Sequence, residues 1–327
     1  MRIRDLLHID KERLIRYLAR CFPCEYTYWY KAKYLYEKAT GRKLNYASPQ
    51  TLGDKLMWIT RYWQHPLKTV CADKYRVREY VEAKQLGHIL IPLLAVYDRS
   101  EDIDFAALPQ SFVLKCNHGS GMNLIVTDKA KIDPEAVRQQ FARYLMRDFS
   151  QLYCEKHYDD IPRKIVCEPL IATSAPTEYQ CWCVNGEPDS LLVCRKNFDG
   201  TYDAFSYSCD FRQLFERKGE KPNEEVIARP ACLEQILDYA RILSADFPFV
   251  RADFYEVEGK VYFAELTFTP NCNYLQNYNE PFLQRLGSKL KLPCRKLGTK
   301  SSGVSTITTP NMPHIYMKKI MRRLAPG

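Results

Sequence analysis

Two acidic side chains in the stretch RADFYEVEGKVYFAELTFTPN, residues 251–271, stand where they could share a metal ion. Asp253 and Glu265 fall on two alternating runs joined across Glu258-Gly259, the pattern of a hairpin. Counted across that turn, they come out near-opposite and on one face. Facing carboxylates repel unless a cation lies between them, and Mg2+ takes one or two carboxylates together with substrate phosphates. Thr267 returns to the same face with a hydroxyl, and Asn271 follows Pro270. The flanking Phe254, Val261, Phe263, Leu266 and Phe268 argue for a buried setting rather than two solvated strand carboxylates.

A second group lies in KCNHGSGMN, Lys115 to Asn123. The chain has 13 Gly in 327 residues, roughly half the usual ~7%, so Gly119 and Gly121 two residues apart stand out. Such glycines can take φ > 0 and bring backbone N–H groups close to an anion. Lys115, at the end of the apolar run FVLK, adds a point charge suited to phosphate. No Lys-Ser/Thr follows the second Gly, as a P-loop requires, and no third Gly opens a helix, as a dinucleotide fingerprint requires. A plain hairpin turn would look the same. Glu168 ends the apolar run IVCEPLI before Pro169, where departing backbone could read an adenine edge, and Glu178 could accept from ribose hydroxyls. In ADKYRVREYV, Asp73-Lys74 reads as a helix start, with Lys74 either a second phosphate charge or part of a solvated first turn. Cys21 and Cys24 have C-x-x-C spacing but no second pair, the six His are scattered, and no G-x-S-x-G is present.

The elements that must carry these groups read as helices first and strands after. Residues 5–85 read mostly as helices, including YTYWYKAKYLYEKATG, closed by Gly41, and DKYRVREYVEAKQLG, closed by Gly87. The tyrosines and Trp29 within the former read as helix packing or as a sugar platform. HILIPLLAVYD, SFVLKCNH and MNLIVTD are short β-rich runs. PEAVRQQFARYLMRDF is an amphipathic helix, and IVCEPLI, EYQCWCVNGEP, DSLLVCRK and AFSYSCD are strands. CLEQILDYARILSADF is helical, and the hairpin follows. The class is α+β on antiparallel strands.

Composition removes several functions. No run of ~18 apolar residues exists, so nothing is expected to span a membrane. The first residues, MRIRDLLHIDKERL, lack the apolar stretch of a secretory signal, and 13 Cys without one are expected to be reduced thiols in a cytoplasm. Ten of the 48 Lys and Arg lie from Arg285 onward, where no Asp or Glu stands; the preceding 284 residues hold 38 basic side chains against 39 acidic. A neutral body argues against nucleic acid as a partner. The basic tail carries IYMKKIMRRL, residues 315–324, whose cations take one helical face and Tyr316, Met317, Ile320, Met321 and Leu324 the other. That segment reads either as a helix docked on the body or as one resting on the inner face of an anionic membrane.

In order along the chain, DK (73–74), VLKCNHGSGMN (113–123), IVCEPLI (165–171), EYQ (178–180), VRADFY (250–255) and YFAELTFTPN (262–271) resemble the motifs of the ATP-grasp superfamily. LIPLLAVYD, VNGEP and FPFVRADFY are more narrowly similar to the TupA-like ATP-grasp family of bacterial surface-polysaccharide clusters, over roughly residues 50–290. The resemblance implies two α+β lobes gripping ATP. It implies a helical N-terminal region (1–72), an ATP-grasp body (73–292) with a lid near 105–170, and the basic tail (293–327). Lys74 and Lys115 fall where phosphates are held. His118, Gly119, Ser120 and Gly121 fall in the loop that closes over them. Glu168 and Ile171 fall at the adenine hinge and Glu178 at the ribose. Asp253, Glu265 and Thr267 fall at the Mg2+ positions, and Arg251 falls where an acyl phosphate is steadied. The implied reaction joins a carboxylate to an amine through an acyl phosphate, with Lys115, Arg251 and Glu265 catalytic. The carboxylate would belong to a hexuronic acid, free or as a nucleotide sugar, and the amine to an amino acid. Gln180 replaces the usual Lys or Arg, and Asn271-Cys272-Asn273-Tyr274 replaces a Gly-Ser-Gly-like turn. A phosphotransferase or a non-catalytic nucleotide-binding protein would share much of this pattern; a glycosyltransferase would need a D-x-D pair that precedes a sugar-binding region, and none does so here.

Overall fold

The structure, a computed structural model, describes residues 11–21, 24–172, 176–196, 202–220 and 227–294. The 315–324 segment lies outside the described residues. The chain divides into two compact units, with the boundary after Leu44. In the first, α1 (Lys11–Cys21) and α2 (Glu25–Thr40) are helical, and α2 ends on Gly41 at φ +70, the left-handed cap its sequence predicts. Trp29 and Tyr36 of α2 are buried.

The second unit, Asn45–Pro293, opens with α3 (Leu52–Tyr62), whose Thr51 and Asp54 form a capping box, and α4 (Pro66–Ala72). The helix expected to start at Asp73-Lys74 starts later: α5 runs Val77–Ala83, Asp73 caps the C-terminus of α4, and Lys74 lies in the turn between the two helices. Gly87 does not close α5 but opens a 3-10 turn, Gly87–Ile89. Of HILIPLLAVYD only β1 (Ala95–Tyr97) pairs as a strand.

Two antiparallel sheets follow. One takes β1, β2 (Phe112–Cys116), β3 (Asn123–Val126) and, after the helices α6 (Pro134–Leu145) and α7 (Phe149–Tyr153), β4 (Ile165–Pro169), in the order β1-β4-β2-β3. Period-two alternation turns Phe112, Leu114, Cys116, Ile165 and Cys167 inward onto Phe141 of α6 and Phe149 of α7. It leaves Lys115 and Glu168 on the opposite face. The other sheet is formed by β5 (Thr177–Val184), β6 (Glu187–Lys196), β7 (Tyr202–Ser208), β8 (Phe249–Val257) and β9 (Lys260–Thr267), in the order β7-β6-β5-β8-β9. One of its faces buries Tyr179, Cys181, Cys183, Val250, Ala252 and Phe254 against α8 (Leu233–Ser244). The other packs Trp182, Val184 and Phe249 on α3 and on α9 (Glu280–Lys289), a helix the sequence reading did not single out. Glu178, Gln180, Arg251 and Asp253 have the parity of Trp182 and Phe249. This second face is therefore apolar at one end and charged at the other.

The β2–β3 loop uses its two glycines differently. Gly121 takes φ +68 with open space around it, as expected. Gly119 does not have positive φ; instead a Cβ there would lie 2.5 Å from the Phe149 ring. Gly119→Ala is thus an overpacking change, expected to cost ~1–3 kcal/mol. Gly121→Ala is a left-handed strain, expected to cost ~1–2 kcal/mol. Denaturant unfolding of both variants, each alone and combined with Phe149→Leu, checks the difference: removing the ring should restore stability only at position 119.

Candidate active site

The charged end of the five-stranded sheet is built on one irregularity. Asp253 pairs with Glu265, but the next residue, Phe254, pairs with Phe263, so Ala264 is an extra residue on β9. Such a bulge bends the strand and re-aims the side chains beside it. Here both carboxylates lie on the face that carries Arg251 and Thr267, as the hairpin count predicts. The Thr267 hydroxyl donates to Glu265 Oε1 at 3.0 Å and lies 3.5 Å from Asp253 Oδ2. Two carboxylates and a hydroxyl are hard oxygen donors suited to Mg2+, which keeps further positions for water and phosphate oxygens. Among the described residues no cluster of three or more His, Cys, Asp or Glu competes as a metal site.

Arg251, Lys74 and Lys115 each have a carboxylate partner. Arg251 grips both oxygens of the fully buried Asp253, Nε to Oδ1 at 2.9 Å and Nη2 to Oδ2 at 2.6 Å. Burial raises the Asp253 carboxyl, to about 7, against the pull of that guanidinium. Lys74 Nζ lies 3.1 Å from Glu265 Oε2 and donates to Gly119 O at 2.9 Å. The nearby ammonium holds the Glu265 carboxyl down at about 2, although burial acts against it. Lys115 Nζ meets Glu168 Oε2 at 2.6 Å, on the outward face of the four-stranded sheet.

Lys74, Ser120, Gly121, Arg251, Glu265 and Thr267 line one cavity of about 450 Å3. Lys115 and Glu168 line a narrow hollow beside it, which shares Lys74 and Ala264 with the cavity. Other expected residues do not reach the cavity wall. His118 is buried, and burial pushes its imidazole down to about 4. Glu178 is buried on the charged face and accepts from Gln180 Nε2 at 2.9 Å. Ile171 is half-buried past the end of β4.

Three features of this site had no sequence signal of their own. Glu155, between α7 and the 3-10 turn Lys156–Tyr158, is buried in the cavity wall and bonded by the Thr269 hydroxyl. Burial raises its carboxyl to about 7. Arg147 lines the cavity from the exposed end of α6. The loop after Pro270 also lines it, with Asn271, Cys272, Asn273 and Leu275 all left-handed (φ 48, 55, 67 and 50). That loop is pinned by Asn273 Nδ2 donating to Thr60 Oγ1 at 2.9 Å and by the buried Leu275. Only its departure from a glycine-rich turn was visible beforehand.

Solved structures similar to this chain include D-alanine–D-alanine ligase from Bacillus anthracis, at 16% identity and a TM-score of 0.38, covering 74% of this chain and 70% of that one. L-amino acid ligase from Bacillus licheniformis is 15% identical with a TM-score of 0.42, over 88% of this chain and 63% of that one. D-alanine–D-alanine ligase from Helicobacter pylori is 16% identical with a TM-score of 0.36, over 68% of this chain and 60% of that one. The chain thus spans less than two thirds of the length of the latter two. No curated protein matches it. The model of the TupA-like ATP-grasp family matches residues 54–291, which take in both sheets, the bulged hairpin and every cavity-lining residue named above. The chain belongs to the TupA-like ATP-grasp family.

Proposed function

We propose that the chain is an ATP-dependent carboxylate–amine ligase that uses Mg2+ and forms an amide through an acyl phosphate. The observation that carries this reading is the convergence on one cavity of two cations, Lys74 and Arg251, of Glu265, with Asp253 paired to it and buried behind the wall, and of a separate buried carboxylate, Glu155. Phosphate binding needs the first, metal binding the second, and amine chemistry the third. The segment of about residues 105–170, which carries β2, β3 and β4, is the lid subdomain of the body 73–292.

In this reading the nucleotide changes partners in a balanced way. Lys74 and Lys115 leave Glu265 and Glu168 for phosphate oxygens. Asp253, Glu265 and Thr267 hold Mg2+, which supplies charge neutralisation at the phosphates. The Gly119-Ser120-Gly121 backbone closes over the phosphates, with His118 supporting the loop from beneath. Glu168, Ile171 and Glu178 hold the adenine and ribose end. A substrate carboxylate oxygen attacks the γ-phosphorus, the bond to the β-phosphate oxygen breaks, and ADP leaves. Arg251 steadies the acyl phosphate. The amine nitrogen then attacks the acyl carbon, the carbon–oxygen bond to phosphate breaks, and Glu155 takes the proton the amine loses. The family resemblance supports a hexuronic acid, free or nucleotide-linked, as the carboxylate and an amino acid as the amine, in surface-polysaccharide (capsule or O-antigen) synthesis. A cytoplasmic site, with the tail at the membrane face, suits that role.

Three measurements test it. With ATP, a panel of uronic acids and hydroxylamine in place of the amine, a hydroxamate and ADP should form; AMP and pyrophosphate, or phosphate retained on a sugar hydroxyl, would remove the ligase reading. Glu265→Gln should lower turnover by ~10²–10³ with the fold intact, because the metal pair loses one of its two charges. Retention of more than a tenth of the rate at saturating Mg2+ sinks that role. Glu155→Gln should slow the amine-dependent reaction by ~10²–10⁴ and spare hydroxylamine trapping, whose nucleophile is already neutral. In the parent chain the amine-dependent rate should rise with pH through about 7, as the Glu155 carboxyl ionises, and the substitution should flatten that limb.

A further inference from the structure

A second cleft, of about 490 Å3, lies on the far side of α4 and the Lys156–Tyr158 turn from the catalytic cavity. Cys71, Ala72 and Tyr158 line the cavity; Lys68, Thr69, Val70 and His157 of the same two elements line the cleft. The partition between them is one short helix and one turn.

The groups facing the cleft are unusual for a protein interior. Lys68 is 4% exposed, yet among the described residues its ammonium has no hydrogen bond or carboxylate partner. Its neighbours are the rings of Trp63, at 5.6 Å, and Phe268, at 5.9 Å. Ring faces return only part of what a cation loses on leaving water. Burial accordingly pulls the Lys68 ammonium down to about 8. His157 is 5% exposed, with hydrogen-bond partners at neither ring nitrogen among the described residues. Arg76 joins them from the turn before α5 and forms no ion pair among the described residues. The acidic residues of the cleft are elsewhere engaged or on the rim: Asp159 pairs with Lys156 at 2.5 Å, and Asp160 is exposed.

We propose that this cleft is a second anion site, separate from the catalytic cavity, and that it takes a small phosphate-bearing ligand between Lys68, Arg76 and His157. A dianion supplies the charge the buried ammonium lacks. Its several acceptor oxygens satisfy the guanidinium and the one imidazole N–H together, which a single carboxylate does less completely. The ligand is inorganic phosphate or a phosphate monoester. Because α4 leads directly into Lys74, its occupancy fixes the element that places that lysine.

The test is calorimetric titration of the full chain with sodium phosphate, and in parallel with a hexose 1-phosphate, against sodium chloride at equal ionic strength. Lys68→Met keeps the length and apolar stem of the side chain and removes the charge, and Arg76→Gln is a milder change at a half-exposed position. Lys74→Met serves as the catalytic-cavity control. The expected result is phosphate binding that survives Lys74→Met and weakens at least tenfold in Lys68→Met and severalfold in Arg76→Gln. Tighter binding of the hexose 1-phosphate identifies a monoester as the ligand, and equal or weaker binding identifies free phosphate. Absence of binding in the parent chain, its loss in Lys74→Met, or affinity within twofold of the parent in both Lys68→Met and Arg76→Gln overturns the proposal.

Discussion

The site depends on one buried amide. Asn117, fully buried at the end of β2, donates from Nδ2 to Asp73 Oδ1 and to Pro162 O, both at 2.8 Å, and accepts from Lys164 N at 2.7 Å on Oδ1. Its backbone carbonyl accepts from Lys74 N at 3.2 Å, and its own N–H donates to Lys164 O at 3.1 Å. One residue therefore ties the α4–α5 turn, the glycine loop and the segment entering β4. An unsatisfied buried amide costs ~1–3 kcal/mol per group, so these segments hold their places together or not at all. Lys74 inherits its position from this clasp, and with it the contact to Glu265.

A second constraint is charge. Lys74, Arg251 and Lys115 each sit in an ion pair, with Glu265, Asp253 and Glu168 respectively. Isolated, any of them would be costly to bury. Paired, they offset one another's charge while no nucleotide is bound. The pairs also explain why carboxylates in one site differ: Glu265 is held low by Lys74, while burial dominates at Glu155 and Asp253.

What was legible in the sequence was local. The Asp253–Glu265 pairing follows from alternation around Glu258-Gly259, and Gly41 and Gly121 from the backbone they must adopt. Lys74 was misplaced because helix-forming residues run on from α4 into α5, and only the contact with Asn117 shows where one helix stops. HILIP reads as a strand by its apolar run, yet a strand exists only where a partner reaches it, and β4 reaches only Ala95–Tyr97. Glu155 sits in a stretch without periodicity and acquires its environment from Thr269, more than a hundred residues on. The cleft around Lys68 has the same origin: nothing near that lysine in sequence shows that no acid comes to meet it.

The left-handed run after Pro270 has an evolutionary corollary. Non-glycine residues held in such conformations cost of order 1–3 kcal/mol each, less for Asn than for Cys or Leu. The surrounding core carries that burden through Leu275 and the Asn273 anchor. A loop of this sort is a reservoir of tolerance: glycine at Cys272 would relax it and raise stability, leaving room to alter the side chains that line the cavity. Variation among relatives should therefore concentrate between Asn271 and Tyr274, while the clasp and the bulged hairpin stay fixed.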